Sequence, residues 1–147
     1  MTHTATRWLG IAALLAFGAG ISAQAADVTV NATGFKDQTG MAIVYLWKAP
    51  GEGFPNKTEK ATTSKTVKIE PSGVKVTFDA EPGVYAVSVT HDENNNGKMD
   101  TGFMGKPKEG YGASNNPQNK LSAPSFDQCK ITVDAKGATV DIKMRGE

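Results

Sequence analysis

The run HDENNNGKMD at residues 91–100 concentrates oxygen-bearing side chains around a single glycine. Calcium takes about six to eight oxygen ligands, and its loops commonly supply them at alternate positions with glycine at the sixth place. Counting from the first aspartate, Gly97 is sixth, and the alternate positions carry Asp92, Asn94, Asn96, the backbone carbonyl of Lys98, and Asp100. An array of oxygens alone suits a hard cation and not zinc or copper. The sequence therefore predicts a calcium site at this run.

The run is only the front half of a helix-loop-helix calcium loop. The twelfth position, where a bidentate glutamate is usual, is Phe103, and the flanking sequence does not have a helical pattern. We expect Glu109 to supply a closing carboxylate, with Asp127 as a weaker candidate. Two charged ligands with amide oxygens imply a dissociation constant of about 10⁻⁴–10⁻³ M. The alternative is a metal-free hairpin turn, because Asn96-Gly97 is also a strong turn signal.

Two further side chains, His91 and Cys129, are of types that can take part in catalysis. His91 continues the apolar face of its strand, so we expect it at the rim of the core, hydrogen-bonding the backbone of the loop above it. The alternative is an acid–base pair of His91 and Glu109 in a small hydrolase-type enzyme. Cys129 shares a face with Ile131 and Val133, which predicts a buried and inert thiol.

These residues must be positioned by strands, because the pattern has period two almost throughout and no long segment has a helical period. Seven strands are predicted, at residues 26–32, 41–47, 65–70, 73–80, 83–92, 126–133 and 137–144. The second is apolar on both faces, which indicates a central strand. The pattern predicts an all-β fold: a seven-stranded antiparallel Greek-key β-sandwich, immunoglobulin-like or prealbumin-like, with one long ordered loop. Tyr85, which follows a Pro-Gly turn, is either the tyrosine of a tyrosine corner or a plain core residue.

Two connections are longer than is usual within a compact domain, residues 48–62 and 92–124. A loop as long as the second is usually functional or disordered, and its turn residues favour an ordered coil. If all neighbouring strands are antiparallel, the two loops leave the sandwich at opposite ends and do not share a site.

The first 25 residues have the order of a secretory signal peptide. One basic residue precedes a short apolar run, and small residues precede the expected cleavage after Ala25. Removing residues 1–25 from the 147 leaves 122, enough for the single β-sandwich domain predicted at 26–147. We expect a periplasmic or secreted protein that has no transmembrane segment after cleavage.

The charge and composition of the chain restrict the classes of molecule that it is expected to bind. Without Arg7, 15 basic side chains balance 15 acidic ones, and no basic stripe interleaves with aromatics, so nucleic acid is not expected as a partner. A lone cysteine cannot form an internal disulfide. We therefore expect a monomeric, non-enzymatic module whose calcium-ordered loop, residues 92–116, presents a binding surface to an envelope protein or a glycan. A purely structural module with a metal-free turn is the further alternative.

The strand-and-loop region resembles the bacterial domain of unknown function 2141 family, whose members are small exported proteins. The family pattern runs roughly G-x-Y-A, H-D-x-N-x-N-G-x-x-D, G-x-P-x-E-G-x-G-x-S-N-N and P-x-F. These elements fall here on residues 83–86, 91–100, 105–116 and 124–126. Ala113 stands where the family usually has an aromatic residue. The resemblance implies the same fold boundaries and an important long loop, and it assigns no catalytic residues.

Overall fold

The computed structural model describes Gly20 and residues 24–146. Apart from Gly20, Gln24 and Ala25, the predicted signal peptide lies outside the described residues. Within the described part of the chain, none of the helices has the length and apolar character needed to cross a bilayer.

The chain is mostly β, as its period-two pattern predicts, and it forms two sheets from eight strands. The strands are β1 Ala26–Thr33, β2 Met41–Lys48, β3 Thr63–Val67, β4 Val74–Ala80, β5 Gly83–Asp92, β6 Tyr111–Ala113, β7 Ile131–Val133 and β8 Ala138–Lys143. One helical turn, α1, spans Phe126–Cys129, and two 3₁₀ turns span Thr58–Lys60 and Phe103–Gly105.

The smaller sheet has the strand order β4-β1-β8. β1 pairs with β4 in antiparallel fashion and with β8 in parallel, with Val28 opposite Ala138 and Val30 opposite Val140. The prediction of a wholly antiparallel arrangement is therefore wrong at this pair. Hairpins force antiparallel pairing only on strands that follow one another, and β1 and β8 are the first and last strands of the chain.

The larger sheet has the order β3-β2-β5-β6, and β7 pairs with the first residues of β5. Alternate residues of both sheets bury a common core, which includes Val28, Val44, Phe78, Val87 and Ile142. β5 lies between β2 on one side and β6 and β7 on the other, and its residues from Tyr85 to Asp92 are all buried. The larger sheet therefore holds the end of β5, where the candidate site begins, firmly in place.

Eight strands form where the sequence predicts seven, and two predicted boundaries are wrong. β6 lies inside the predicted long loop, and the third predicted strand ends at Val67. The sixth predicted strand begins instead as α1, because Ser125 and Gln128 form a capping box: the Ser125 hydroxyl accepts from the Gln128 N–H, and the Gln128 side chain accepts from the Ser125 N–H.

Tyr85 combines both roles that its position suggests. Its ring is buried in the common core, and its hydroxyl donates to the carbonyl oxygen of Glu81 at 2.9 Å. A hydrogen bond from the tyrosine back to the preceding turn is the feature that defines a tyrosine corner.

A second apolar cluster covers the other face of the larger sheet. Its buried members are Ile43, Tyr45, Trp47, Ala86, Ala113 and Cys129, with Phe54, Ala61 and Phe126 packed against them. The Phe54 and Phe126 rings meet edge to face at 6.0 Å, so the 48–62 connection folds across this face and reaches the residues just beyond the long loop. β2 is buried on both faces, which confirms the prediction of a central strand.

Cys129 lies in this second cluster, and the prediction of a buried thiol is confirmed even though the residue belongs to α1 and not to a strand. Burial raises the pKa of the Cys129 thiol to about 11. We therefore expect the native protein to react with an aromatic disulfide reagent at pH 8 at least about a hundredfold more slowly than the protein unfolded in guanidinium. A native thiol that reacts as fast as the unfolded one would contradict the packing of α1 on the sheet.

Candidate functional site

The candidate site begins where β5 ends. Asp92 is the last residue of that strand, opposite Met41 of β2, and only 3% of its surface is exposed. Its carboxylate accepts hydrogen bonds from the backbone N–H groups of Asn96 (3.0 Å) and Gly97 (2.7 Å). These two bonds curl the chain back over the strand end, and Gly97 has the positive φ of 79° that such a turn requires.

The curled chain brings the alternate side chains together. The side-chain amides of Asn94 and Asn96 donate to the two oxygens of the Asp100 carboxylate at 2.5 and 2.8 Å. The oxygens of the same two amides accept backbone N–H bonds, Asn94 from Asn96 and Asn96 from Lys98, each at 3.1 Å. The side chains of four of the six residues that the sequence assigns to the metal site, Asp92, Asn94, Asn96 and Asp100, therefore lie in one hydrogen-bond network, which the Lys98 N–H also joins.

Glu109 joins the two ends of this network. One of its carboxylate oxygens accepts the Glu93 N–H at 3.0 Å and the other accepts the Asp100 N–H at 2.9 Å. Its side chain is almost completely buried, at 4% exposure. Glu109 therefore meets the loop, as the sequence predicts, but through backbone N–H groups. Asp127 does not join it, because its side chain is exposed and pairs with Lys130 on α1.

The ionisation of Asp100 follows from its partners. Hydrogen bonds from the Asn96 and Asn94 side chains lower the pKa of this carboxyl below its usual value of 3.8, so it is a carboxylate at neutral pH. Because its pKa is lower in the folded protein, this stabilisation is complete above the ordinary pKa and is lost as the pH falls through the lower one.

The donor set of the network suits a hard cation through oxygen. Within residues 24–146 no set of three acidic, histidine or cysteine side chains gathers to hold a metal by itself. A cation here would therefore use the two carboxylates Asp92 and Asp100 together with amide and backbone oxygens. The Asn94 and Asn96 amides can turn their oxygens toward such an ion by a half rotation of the terminal amide group. This rotation exchanges the backbone N–H bonds that these oxygens accept from Asn96 and Lys98 for contacts with the ion.

His91 lies on the opposite side of β5, at the rim of the core beneath the loop. It is 1% exposed, its Nε2 donates to the Thr39 carbonyl oxygen at 2.7 Å, and its ring packs edge to face on Phe35. Gly110 packs closely against His91 on the side of the loop, since a Cβ at that glycine would lie 3.3 Å from the His91 Cβ. His91 therefore lies at the rim of the core as the sequence predicts, but its side chain bonds the backbone of the β1–β2 connection and not that of the long loop.

The second half of the long loop is mostly structural. Tyr111 exchanges two backbone hydrogen bonds with Arg145, each of 2.7 Å, beyond the end of β8. The Asn115 amide donates to the carbonyls of Gln128 and Lys130, and Asn116 bonds both Asp141 and Lys143 through backbone atoms. Both asparagines have positive φ, which this residue type tolerates better than most. Their side chains therefore attach the loop to the α1 region and to β8.

Sequence reasoning misses two features of this region. Oε1 of Glu93 is buried without a hydrogen-bond partner, one of only two such side-chain atoms in the described residues, the other being Nδ1 of His91. Gly40 has a φ of +70°, and a Cβ there would lie 2.0 Å from the Asp92 carbonyl oxygen, so the β1–β2 connection presses directly on the strand end. The Asp-x-x-Gly turn at 37–40 predicts a glycine with positive φ, but it does not predict that this glycine lies against Asp92.

The chain belongs to the family described as "Uncharacterized protein conserved in bacteria (DUF2141)", which matches residues 30–141. The match confirms the family resemblance seen in the sequence, and it covers both sheets from within β1 to within β8. No curated protein and no solved structure matches the chain significantly.

Proposed function

We propose that this protein is an exported, non-enzymatic β-sandwich module whose loop at residues 92–116 is ordered by calcium and presents a binding surface to an envelope partner or a glycan. One observation carries the proposal: the Asp92 and Asp100 carboxylates and the amides between them form a single network at the end of a rigid strand. A turn alone requires neither the second carboxylate nor the first amide.

The proposed ion takes oxygens from Asp92, Asn94, Asn96 and Asp100, and the backbone carbonyl of Lys98 completes the protein ligands. In this proposal Glu109 supports the site by accepting N–H bonds from the Glu93 and Asp100 backbone. Water fills the remaining positions. When bound, calcium supplies charge neutralisation and cross-linking of the loop.

The architecture we propose with this function is a two-layer Greek-key sandwich of the immunoglobulin-like or prealbumin-like kind. The core shared by the two sheets and the tyrosine corner at Tyr85 support it. Export rests on the signal-peptide pattern of residues 1–25, with cleavage after Ala25.

A non-enzymatic role is supported by the partners of the two residues that could act as acid and base. His91 is sealed beneath the loop and bonded to Thr39, while Glu109 is bonded to the backbone of Glu93 and Asp100. Neither side chain presents a free polar atom to solvent at the loop surface. Both therefore act in this proposal as supports of the loop.

Isothermal titration calorimetry of the mature chain with calcium tests the proposal. We expect one ion per chain with a dissociation constant of about 10⁻⁴–10⁻³ M. Asp100→Asn should weaken binding at least about tenfold, because it removes one of only two charged ligands. The matched control is Asp134→Asn, at the β7–β8 turn beside the other end of β5. The absence of heat in the wild type at several-millimolar calcium, or equal binding by the Asp100 variant, would refute the site.

A further inference from the structure

The most exposed part of the loop is apolar. Phe103 and Met104 are adjacent in a 3₁₀ turn, and 88% and 87% of their surfaces are exposed. Single exposed apolar side chains are common on protein surfaces. Two large neighbours at the end of a projection are not, and they indicate contact with something apolar. Residues 101–107, which carry them, are called the tip below.

The tip is an ordered hairpin. Gly102 donates to the Lys106 carbonyl at 2.7 Å, Thr101 and Pro107 form a β-bridge, and Lys108 donates to the Asp100 carbonyl at 2.8 Å. Met104 itself has a φ of +56°, in the left-handed region that a non-glycine residue rarely adopts. The backbone thus holds the two side chains outward, and its base is the Asp100 end of the candidate metal site.

Three lysines lie within the tip or close to it in sequence. Lys98, Lys106 and Lys108 are all exposed. The nearby acidic groups are turned inward: the Asp92 and Glu109 carboxylates are buried and bonded to backbone N–H groups, and that of Asp100 is bonded to two amides. The exposed charged side chains of residues 98–108 are therefore all lysines, and they complement an anionic surface. Lys98 and Lys108 also interact electrostatically with the Asp100 carboxylate.

We propose that the tip inserts into the surface of an anionic phospholipid bilayer. Phe103 and Met104 would enter the boundary between headgroups and acyl chains, and the three lysines would pair with headgroup phosphates. A bilayer fits better than a protein groove because a stable protein interface buries about 800 Å² per partner. Two side chains on one convex turn offer only a fraction of that area.

Calcium would regulate this contact, and that part of the inference rests on the proposed function. Between residues 92 and 109, four carboxylates face three lysines, a net charge of −1. A bound divalent cation changes this to +1 and fixes the base of the tip at Asp100. Membrane binding should therefore strengthen with calcium and weaken in chelator.

Cosedimentation of the mature chain with vesicles tests the tip. The vesicles contain phosphatidylcholine alone or with about 30% phosphatidylglycerol, in about 5 mM calcium or in chelator. We expect binding to the anionic vesicles in calcium, and a loss of at least about tenfold in the Phe103→Ser, Met104→Ser double variant. Leu121→Ser is the matched control, because Leu121 is fully exposed but lies outside the tip, and it should bind like the wild type.

The lysines are tested by charge reversal. Lys106→Glu with Lys108→Glu should abolish the preference for anionic vesicles, whereas Lys136→Glu, in the β7–β8 turn, should leave it unchanged. All of these positions are exposed, so the variants should keep the wild-type melting temperature.

Four outcomes overturn or separate the claims. Equal vesicle binding by the double serine variant overturns insertion of the tip. Absence of vesicle binding, together with a self-association that the same variant removes, also overturns it, in favour of a protein contact. Calcium binding in the calorimeter without any vesicle binding refutes insertion of the tip into a bilayer and supports the calcium site alone. Vesicle binding that depends on the tip but not on calcium supports insertion and refutes the metal site as its regulator.

Discussion

Replacing Asp92 with alanine is expected to lower the free energy of unfolding by about 3 kcal/mol in the presence of chelator. Asp92 is only 3% exposed, and its carboxylate accepts two backbone N–H bonds, from Asn96 and Gly97. Hydrogen bonds to a charged acceptor are worth about 1.5–3 kcal/mol each, and part of the loss is recovered because the freed N–H groups lie near solvent. Urea denaturation at neutral pH, followed by tryptophan fluorescence, measures the change.

Asp134→Ala is the control for Asp92→Ala. Asp134 also accepts a backbone N–H at the end of a strand, from Lys136 at 2.8 Å, but it is exposed and makes only that bond. Its loss should cost no more than about 1 kcal/mol. Equal destabilisation by the two variants would mean that the Asp92 carboxylate does not organise the turn. That result would contradict the role of Asp92 in the candidate site.

Calcium at 10 mM is expected to raise the melting temperature of the mature chain by about 4–14 °C. A ligand with a dissociation constant of about 10⁻⁴–10⁻³ M stabilises the folded state by about 1.4–2.7 kcal/mol at that concentration. In a domain of this size, each kcal/mol raises the melting temperature by about 3–5 °C. Differential scanning calorimetry in calcium and in chelator measures the shift.

Asp100→Asn should reduce that shift by at least about 3 °C, because it removes half of the ligand charge and tenfold weaker binding loses about 1 kcal/mol of the stabilisation. Asp127→Asn is the matched control: Asp127 is another exposed carboxylate close to a lysine, but it lies on α1, away from the network. It should retain the full shift. A wild-type melting temperature that is the same in calcium and in chelator would leave the metal-free Asn-Gly turn as the correct interpretation of residues 96–97.

Strand alternation predicts the fold well where strands are long. β1, β2, β4, β5 and β8 form within a residue or two of their predicted limits, because each buries a period-two face. β6 could not be found in this way, since three residues, Tyr-Gly-Ala, are too few to show a period. It pairs with β5 because asparagines 115 and 116 anchor the chain that follows it.

The error at α1 has a different origin, because its signal is present in the sequence. Ser125 and Gln128 have the spacing of a capping box, which outweighs the weak alternation of the residues after them. The parallel pairing of β1 with β8 has no local signal at all. It depends on how the two sheets stack, and that is a property of the whole chain.

At the site, spacing alone identifies the four side chains that share a network, because ligands at alternate positions around a glycine must converge if the loop curls. The same spacing places His91 on the other face of β5, under the loop. What spacing does not reveal is the partner of a buried group. Glu109 binds backbone N–H groups, and the Phe103–Met104 pair projects from the position where a calcium loop would have its last ligand.

A crystal structure of residues 26–147 grown with calcium will show whether Asp92, Asn94, Asn96 and Asp100 share one ion. We expect one ion about 2.3–2.6 Å from oxygens of Asp92, Asn94, Asn96 and Asp100, with the two amides turned so that their oxygens face it. A map in which the Asn94 and Asn96 nitrogens still contact the Asp100 carboxylate, with no ion between them, would contradict it.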